Sequence, residues 1–173
     1  MRSVLCGLFL SVALAPILAH AQEEQRAACT GTAPLPAAYA PWASQADLVS
    51  AAAVVDLPKA ELTPGHAVKT LLHPTRQVAY VTQPEKPGGS VAKGGMLALK
   101  IEQAGLYRVA LSAGPWIDVL KDGKVLVSTA HSQGPACTGI RKMVDFALQP
   151  GGYVLQISAN PDEQLTVMLL RQP

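Results

Sequence analysis

The sequence predicts an all-β protein, an antiparallel β-sandwich of the jelly-roll type with eight or nine short strands. Two lines of the chain carry this prediction: Gln103–Ala113 reads QAGLYRVALSA, and Gln149–Ala159 reads QPGGYVLQISA. Each is a glycine turn that runs into a strand with apolar residues at every second position, which is typical of a sheet with one buried face. Because the two lines align, we expect Tyr107 and Tyr153 to occupy equivalent corners, with their rings against the core and their hydroxyls bonded to the backbone. Turns recur every eight to twelve residues and no long amphipathic helix is present, so a sandwich is favoured and a small closed barrel is the alternative.

The first residues have the features of an export signal. Arg2 gives a positive start, Val4–Ala15 is apolar, and Ala19-His20-Ala21 is an A-x-A site, so we expect cleavage after Ala21. The apolar run is too short for a membrane span, and no later stretch is long enough. The sequence therefore predicts a signal peptide over residues 1–21 and a periplasmic or secreted protein, with a Gram-negative periplasm favoured by a composition rich in Ala and Pro.

The segment after the signal predicts an extended arm over residues 22–45. Ala33–Pro41 contains three prolines, which excludes a regular helix or a central strand, and we expect Trp42 to anchor the arm. The domain then covers residues 46–173. Its first stretch, Ala46–Val55, is ambiguous between a short helix and an edge strand, and the strand is favoured because strand-like sequence follows.

The remaining elements follow from alternation and turn residues. Asp122-Gly123 is the strongest hairpin signal and joins Trp116–Lys121 to Lys124–Thr129. A second hairpin is expected between Ala67–Leu72 and Val78–Thr82. Loops are expected at Gln83–Gly95 and Ala130–Gly139, and further strands at Met96–Ile101, Gly105–Ser112, Arg141–Leu148 and Gln164–Leu170.

Charge and cysteine content narrow the class of protein. Without Arg2 the chain has 13 basic and 12 acidic residues, a net charge of +1, which argues against nucleic acid as a partner. Cys6 belongs to the signal, so Cys29 and Cys137 remain and are expected to form one disulfide in an oxidising compartment. It closes a loop of roughly 107 residues and contributes about 4–5 kcal/mol in the chain-entropy model. A reactive thiol pair is the alternative, but CxxC spacing is absent.

The most polar stretch, from His131 to Lys142, is the candidate binding site. A loop held by a disulfide presents a rigid surface, on which Arg141 can clamp a carboxylate and His131 can exchange protons near neutral pH. Lys142 adds a second cation, and Trp116, beside a Gly-Pro turn, favours ligand binding if it is exposed. The alternative interpretation is that Cys137 fixes the loop and that its charges are only solvated.

No catalytic or metal-binding residues are predicted. His66 and His73 are seven residues apart, which places them on opposite faces of a strand, and His131 lies far along the chain. The HxH pair of cupin-type metal sites is missing, as is a G-x-S-x-G nucleophile turn. We therefore expect no cofactor.

Four runs of the chain carry a resemblance to other proteins: APLPAAYAPWA, GLYRVALSAGPWIDVLKDGK, STAHSQGPACTGIRKMVDF and LQPGGYVLQIS, of which GPACTGIRK is the most specific. Through these runs the chain, from Leu35 onward, resembles small exported β-rich proteins of Gram-negative bacteria, some of which carry the label homogentisate 1,2-dioxygenase; iron is therefore the alternative to the absence of a cofactor. The resemblance implies an exported β domain. The label implies an iron site of two histidines and a glutamate, and no residue of this chain is matched to it.

Three functions remain open. The first is a binding module without catalysis, whose partner is a small ligand or a periplasmic protein. The second is a metal-dependent oxygenase of the homogentisate 1,2-dioxygenase kind, and the third is a structural component of the cell envelope.

Overall fold

Two packed β-sheets make up the computed structural model of the protein, which describes Cys29 and residues 31–173. The expected signal segment, its cleavage site after Ala21 and the start of the arm lie outside these residues. Residues 31–173 form one unit. They contain 3₁₀ helices at Ala37–Ala43, Val54–Lys59 and Thr75–Gln77 and the strands β1 Gln45–Val49, β2 Glu61–Leu62, β3 Ala67–Leu71, β4 His73–Pro74, β5 Lys93–Ile101, β6 Gly105–Leu111, β7 Trp116–Lys121, β8 Lys124–Val125, β9 Ala130–Ser132, β10 Lys142–Leu148, β11 Gly151–Asn160 and β12 Gln164–Arg171.

The predicted sandwich is confirmed, and the two sheets do not close into a barrel. Sheet A has the strand order β1-β3-β12-β6-β10-β9, and sheet B has the order β2-β5-β11-β7-β8, with β4 also pairing with β5. Neighbouring strands are antiparallel except β1 with β3 and β2 with β5, which are parallel pairs at the edges. Eight of the described strands have five or more residues, which matches the predicted number, and four further strands are shorter.

The core between the sheets contains the residues that alternation selects. On β6 and β11 the inward residues are Tyr107, Val109, Leu111, Tyr153, Leu155 and Ile157, and all of them are buried. The inward faces of β5, β10 and β12 complete this core with Leu97, Leu99, Ile101, Val144, Phe146, Leu148, Leu165, Val167 and Leu169.

The two aligned tyrosines occupy equivalent corners, as their shared sequence predicts. The Tyr107 hydroxyl donates to the Gln103 carbonyl oxygen at 2.8 Å. The Tyr153 hydroxyl donates to the Gln149 carbonyl oxygen at 2.9 Å and accepts the Gln149 amide at 3.0 Å. Each ring therefore packs in the core while its hydroxyl ties down the turn four residues earlier.

The outer face of sheet A is also covered, so the prediction of one buried face is too simple there. Tyr39 and Trp42 pack in a second cluster with residues of sheet A, and Trp42 thereby serves as the predicted anchor. The segment is not extended throughout, because Ala37–Ala43 forms a 3₁₀ helix. An ion pair lies under it: Arg108 donates to both carboxylate oxygens of Asp145 at 2.7 Å and to the Tyr39 hydroxyl at 3.2 Å.

The predicted hairpin of Ala67–Leu72 with Val78–Thr82 is wrong. Both edges of β3 are already occupied, by β1 on one side and by β12 on the other. The chain instead passes to sheet B at β4, and Val78–Thr82 forms no strand. Side chains hold it there: the Tyr80 hydroxyl donates to the Ile157 carbonyl, and the Thr82 amide donates to the Gln156 side chain.

Two other predicted strands are shorter than expected. Ala46–Val55 forms a strand only in its first part, since β1 ends at Val49 and a 3₁₀ helix begins at Val54. Lys124–Thr129 pairs with β7 only at Lys124 and Val125, because the chain then leaves sheet B and crosses to sheet A. This crossing opens a space at the side of the sandwich.

Cys29 and Cys137 are disulfide-bonded, which confirms the predicted pair. A disulfide is typical of proteins in an oxidising environment. Among the residues the structure describes, no helix is long and apolar enough to cross a membrane.

Candidate functional site

A cleft of about 650 Å³ lies between the two sheets on the side that contains their edge strands β8 and β9. Trp116, His131, Arg141 and Lys142, the four binding residues that the sequence predicts, all line it. They come from β7 of sheet B, from β9 and from the start of β10 in sheet A. The fold therefore brings together residues that are up to 26 positions apart in the sequence, and the volume is in the range of small-molecule and peptide sites.

The floor of the cleft is apolar. Ile117 of β7 and Val144 and Phe146 of β10 are buried members of the core whose side chains face the space between the sheets. Their positions follow from strand periodicity, because inward residues alternate with outward ones on both strands. A ligand that reaches this floor removes apolar surface from water, which favours binding.

The outer lip of the cleft carries a compact polar cluster. Trp116 and Asp118 alternate with Ile117 on β7, and the Trp116 indole nitrogen donates to Asp118 Oδ1 at 3.1 Å. The Lys86 ammonium lies 4.6 Å from the centre of the Trp116 ring, a distance suited to a cation–π contact. Burial, with a further contribution from Glu85, raises the pKa of Asp118, so its carboxylate is costly to ionise at this lip.

Lys142 joins the two sheets at one end of the cleft. Its ammonium group donates to the Pro115 carbonyl oxygen at 2.6 Å, so the start of β10 is tied to the residue that precedes β7. Burial lowers the pKa of Lys142, and the nearby charge of Lys86 lowers it further. Lys142, which the sequence predicts as a binding cation, is half-buried and closes this end of the cleft.

Arg141 and His131 are exposed at the mouth of the cleft. Within the described part of the chain, neither side chain forms a hydrogen bond or an ion pair, whereas the Arg141 amide donates to the Leu111 carbonyl and fixes the backbone. Both groups are therefore available to an acceptor on a ligand, and a guanidinium binds a carboxylate or phosphate through two parallel hydrogen bonds.

The side of β7 that faces the cleft is a partly open strand edge. β8 pairs with β7 only at Leu120 and Lys121, and the Leu126 amide then donates to the Val119 carbonyl. Beyond that bond the chain leaves, and the Thr129 amide donates to Asp145 in sheet A. Among the described strands, none pairs with the first half of β7 on this side. We call residues 126–129 the crossing segment.

Sequence reasoning missed some of the residues that build the cleft. Val144 and Phe146 have the alternation of ordinary core residues, and nothing in the sequence distinguishes a core residue that borders a cleft. Asp118 is a polar residue on a strand, and Glu85 is a charged residue in a glycine-rich loop. Neither position indicates a site until the fold places both at the cleft.

The histidines do not converge with carboxylates. His73 lies on β4, with its Nε2 2.7 Å from the Ser50 carbonyl oxygen, and His66 lies before β3, whereas His131 lies on β9. The residues described by the structure contain no group of three or more His, Cys, Asp or Glu side chains arranged to hold a metal ion. The iron implied by the dioxygenase label therefore does not fit the side chains that are described.

Comparisons with known proteins give little further information. No protein-family model matches the chain, and no curated protein matches it. Among solved structures, it is similar to part of one described as a novel beta-glucosidase from Paenibacillus barengoltzii, at 15% identity and a TM-score of 0.28. The match covers 80% of this chain and 12% of that chain, so this chain spans only a small part of the protein it matches. A likeness of this size carries no argument about function.

Proposed function

We propose that the protein is an exported binding module, active in the periplasm after cleavage near Ala21, and that the cleft is its ligand site. The observation that carries the proposal is the convergence of Trp116, His131 and Arg141 around an apolar floor between the sheets. An apolar floor with a few polar groups at the mouth is the usual composition of a ligand site. The disulfide supports the location, because it is stable in an oxidising compartment.

The rigidity of the surroundings supports binding as the role of the cleft. The Lys142 bond to Pro115 ties one end, and the crossing segment is held at both of its ends by the hydrogen bonds of Leu126 and Thr129. A site held in place loses little conformational freedom when it binds, which favours affinity.

The test uses the fluorescent probe 8-anilinonaphthalene-1-sulfonate with the mature protein purified from Gln22 onward. Its aromatic rings suit the floor, and its sulfonate suits Arg141 at the mouth. We expect saturable binding of one probe per chain. Ser128→Trp, a substitution of an exposed residue of the crossing segment that lines the cleft, should fill the space and abolish binding.

Ser90→Trp is the matched control, because Ser90 is exposed in a loop and does not line the cleft. It should bind the probe as the unsubstituted protein does. Absence of saturable binding, or equal binding by Ser128→Trp, would contradict the proposal. No observation on the described residues favours the oxygenase or the envelope component over a binding module.

A further inference from the structure

The crossing segment has the sequence of a strand but does not continue one. Residues 124–129 read KVLVST, with apolar and β-branched residues suited to a strand, yet pairing with β7 ends at Val125. The departure leaves Val127 with 90% of its surface exposed. The place beside the first half of β7, where β8 would continue, is occupied by the cleft.

The backbone of β7 faces this place with hydrogen-bonding groups. In an antiparallel pair, residues alternate between those whose amide and carbonyl point to one neighbour and those whose groups point to the other. The bond from the Leu126 amide to the Val119 carbonyl shows that Val119 points toward β8. By the same alternation Ile117 points its amide and its carbonyl away from β11 and into the cleft, while Trp116 and Asp118 direct theirs toward β11.

We propose that the cleft binds an extended peptide segment of a partner protein, which adds to sheet B as a strand antiparallel to β7 and continues the line of β8. This inference rests on the proposed function and names the class of ligand. An added strand satisfies the amide and carbonyl of Ile117, which an apolar small molecule leaves without partners. Open strand edges with free amides are templates for this kind of pairing.

The side chains around the edge specify the pattern of the peptide. The peptide residue opposite Ile117 points inward, onto the floor of Val144 and Phe146, because paired residues in a sheet project to the same face. Inward positions therefore take apolar residues, at every second place. The outward positions lie on the side of Trp116, which is half-buried and presents an aromatic face beside Lys86.

The positive charge at the mouth of the cleft places a second requirement on the sequence of the peptide. Arg141 and His131 form no side-chain hydrogen bonds within the described residues and lie on the sheet A side of the cleft. A carboxylate at an end of the bound segment meets the Arg141 guanidinium there. The ligand is thus an extended segment with alternating apolar residues and an acidic residue at its end.

The test uses a seven-residue peptide that alternates threonine and valine and carries a glutamate at each end, with both termini blocked. Binding is followed by displacement of 8-anilinonaphthalene-1-sulfonate from the mature protein. Two methylated versions test whether the peptide binds by strand addition to β7. One is N-methylated at the valines, and the other is N-methylated at the threonines. In an antiparallel pair the inward residue opposite Ile117 directs its own amide at β7, so methylated valines remove the bonds to β7 and methylated threonines do not.

We expect the peptide to displace the probe, the valine-methylated version to bind about tenfold or more weakly, and the threonine-methylated version to bind as the parent does. Hydrogen exchange of the Ile117 amide should slow when the peptide is bound. Arg141→Gln should weaken binding about two- to fivefold, as for an exposed ion pair, and Arg76→Gln, which changes an exposed arginine outside the cleft, should not.

The outcomes separate this inference from the proposed function. Equal affinity of the two methylated peptides, with unchanged exchange at Ile117, would overturn strand addition. Failure of the peptide to displace a probe whose binding Ser128→Trp abolishes would overturn the peptide ligand and leave the binding module standing. Failure of both the peptide and the probe to bind would overturn both proposals.

Discussion

Substitution of the two corner tyrosines tests whether they stabilise the fold through both ring and hydroxyl. Tyr107 and Tyr153 have only 3% and 5% of their surface exposed, so replacing either by alanine leaves a large cavity in the core. We expect each of these substitutions to reduce the free energy of unfolding by about 3–5 kcal/mol.

Replacement by phenylalanine isolates the hydroxyl. Tyr107→Phe removes one hydrogen bond, to the Gln103 carbonyl, and should cost about 1 kcal/mol. Tyr153→Phe removes a donated and an accepted bond with the backbone of Gln149 and should cost about 1–2 kcal/mol. We therefore expect Tyr153→Phe to lower the free energy of unfolding more than Tyr107→Phe does.

The assay is urea unfolding of the mature protein, with the midpoint and slope fitted for each variant. Leu106→Ala is the matched control: Leu106 neighbours Tyr107 on β6 but points outward and is 39% exposed, so its truncation should cost less than about 1 kcal/mol. A decrease of less than about 1 kcal/mol in the free energy of unfolding of both alanine variants would refute the reasoning, because removal of a buried aromatic ring costs about 3–5 kcal/mol. Alanine losses as expected, with no loss in either phenylalanine variant, would refute the part assigned to the hydroxyls.

Three further predictions concern other parts of the structure. Replacing Cys29 and Cys137 together by serine should lower the free energy of unfolding by about 4–5 kcal/mol in urea titrations, and free thiols in the unreduced, unfolded protein would contradict the disulfide. Asp145→Asn should cost about 2–3 kcal/mol by the same assay, less than a fully buried pair, because 24% of the Arg108 side chain reaches water; an unchanged midpoint would contradict it. Burial raises the pKa of Tyr80 from 10.0 to about 12, so its neutral form stabilises the fold fully below pH 10, and this contribution is lost as the pH rises through about 12. Tyr80→Phe should thus make the loss of stability between pH 10 and pH 12 shallower, and an unchanged alkaline profile would contradict this.

The alternation of apolar and polar residues correctly predicted those strands whose apolar residues face the core between the sheets. Tyr107 and Tyr153 are the clearest case, since a repeated line of sequence predicted the same corner twice. The hairpin from Ala67 to Thr82 failed because the partners of β3 are distant in the sequence, and no local signal indicates that both of its edges are occupied. A parallel pair such as β1 with β3 has no connecting turn by which it could be recognised.

The sequence predicted the polar residues of the candidate site but did not predict the cleft that brings them together. His131 and Arg141 lie in a polar loop, and Trp116 follows a turn, so residue type alone indicates exposed groups. The cleft itself exists because Lys124–Thr129 stops pairing with β7 after two residues. The crossing segment then reaches the opposite sheet, where the Thr129 amide donates to the Asp145 carbonyl, and no local pattern in the sequence indicates this contact.

The position of β12 has a consequence for the order in which the chain can fold. This strand, near the C-terminal end of the chain, lies in the middle of sheet A, with β3 on one side and β6 on the other. Sheet A therefore cannot be completed until residues 164–171 are present, however long the earlier strands have been available. Contacts between such distant segments make folding slow. Until residues 164–171 are available, β3 and β6 lack the strand that lies between them, and each has an unpaired edge that can pair with another chain.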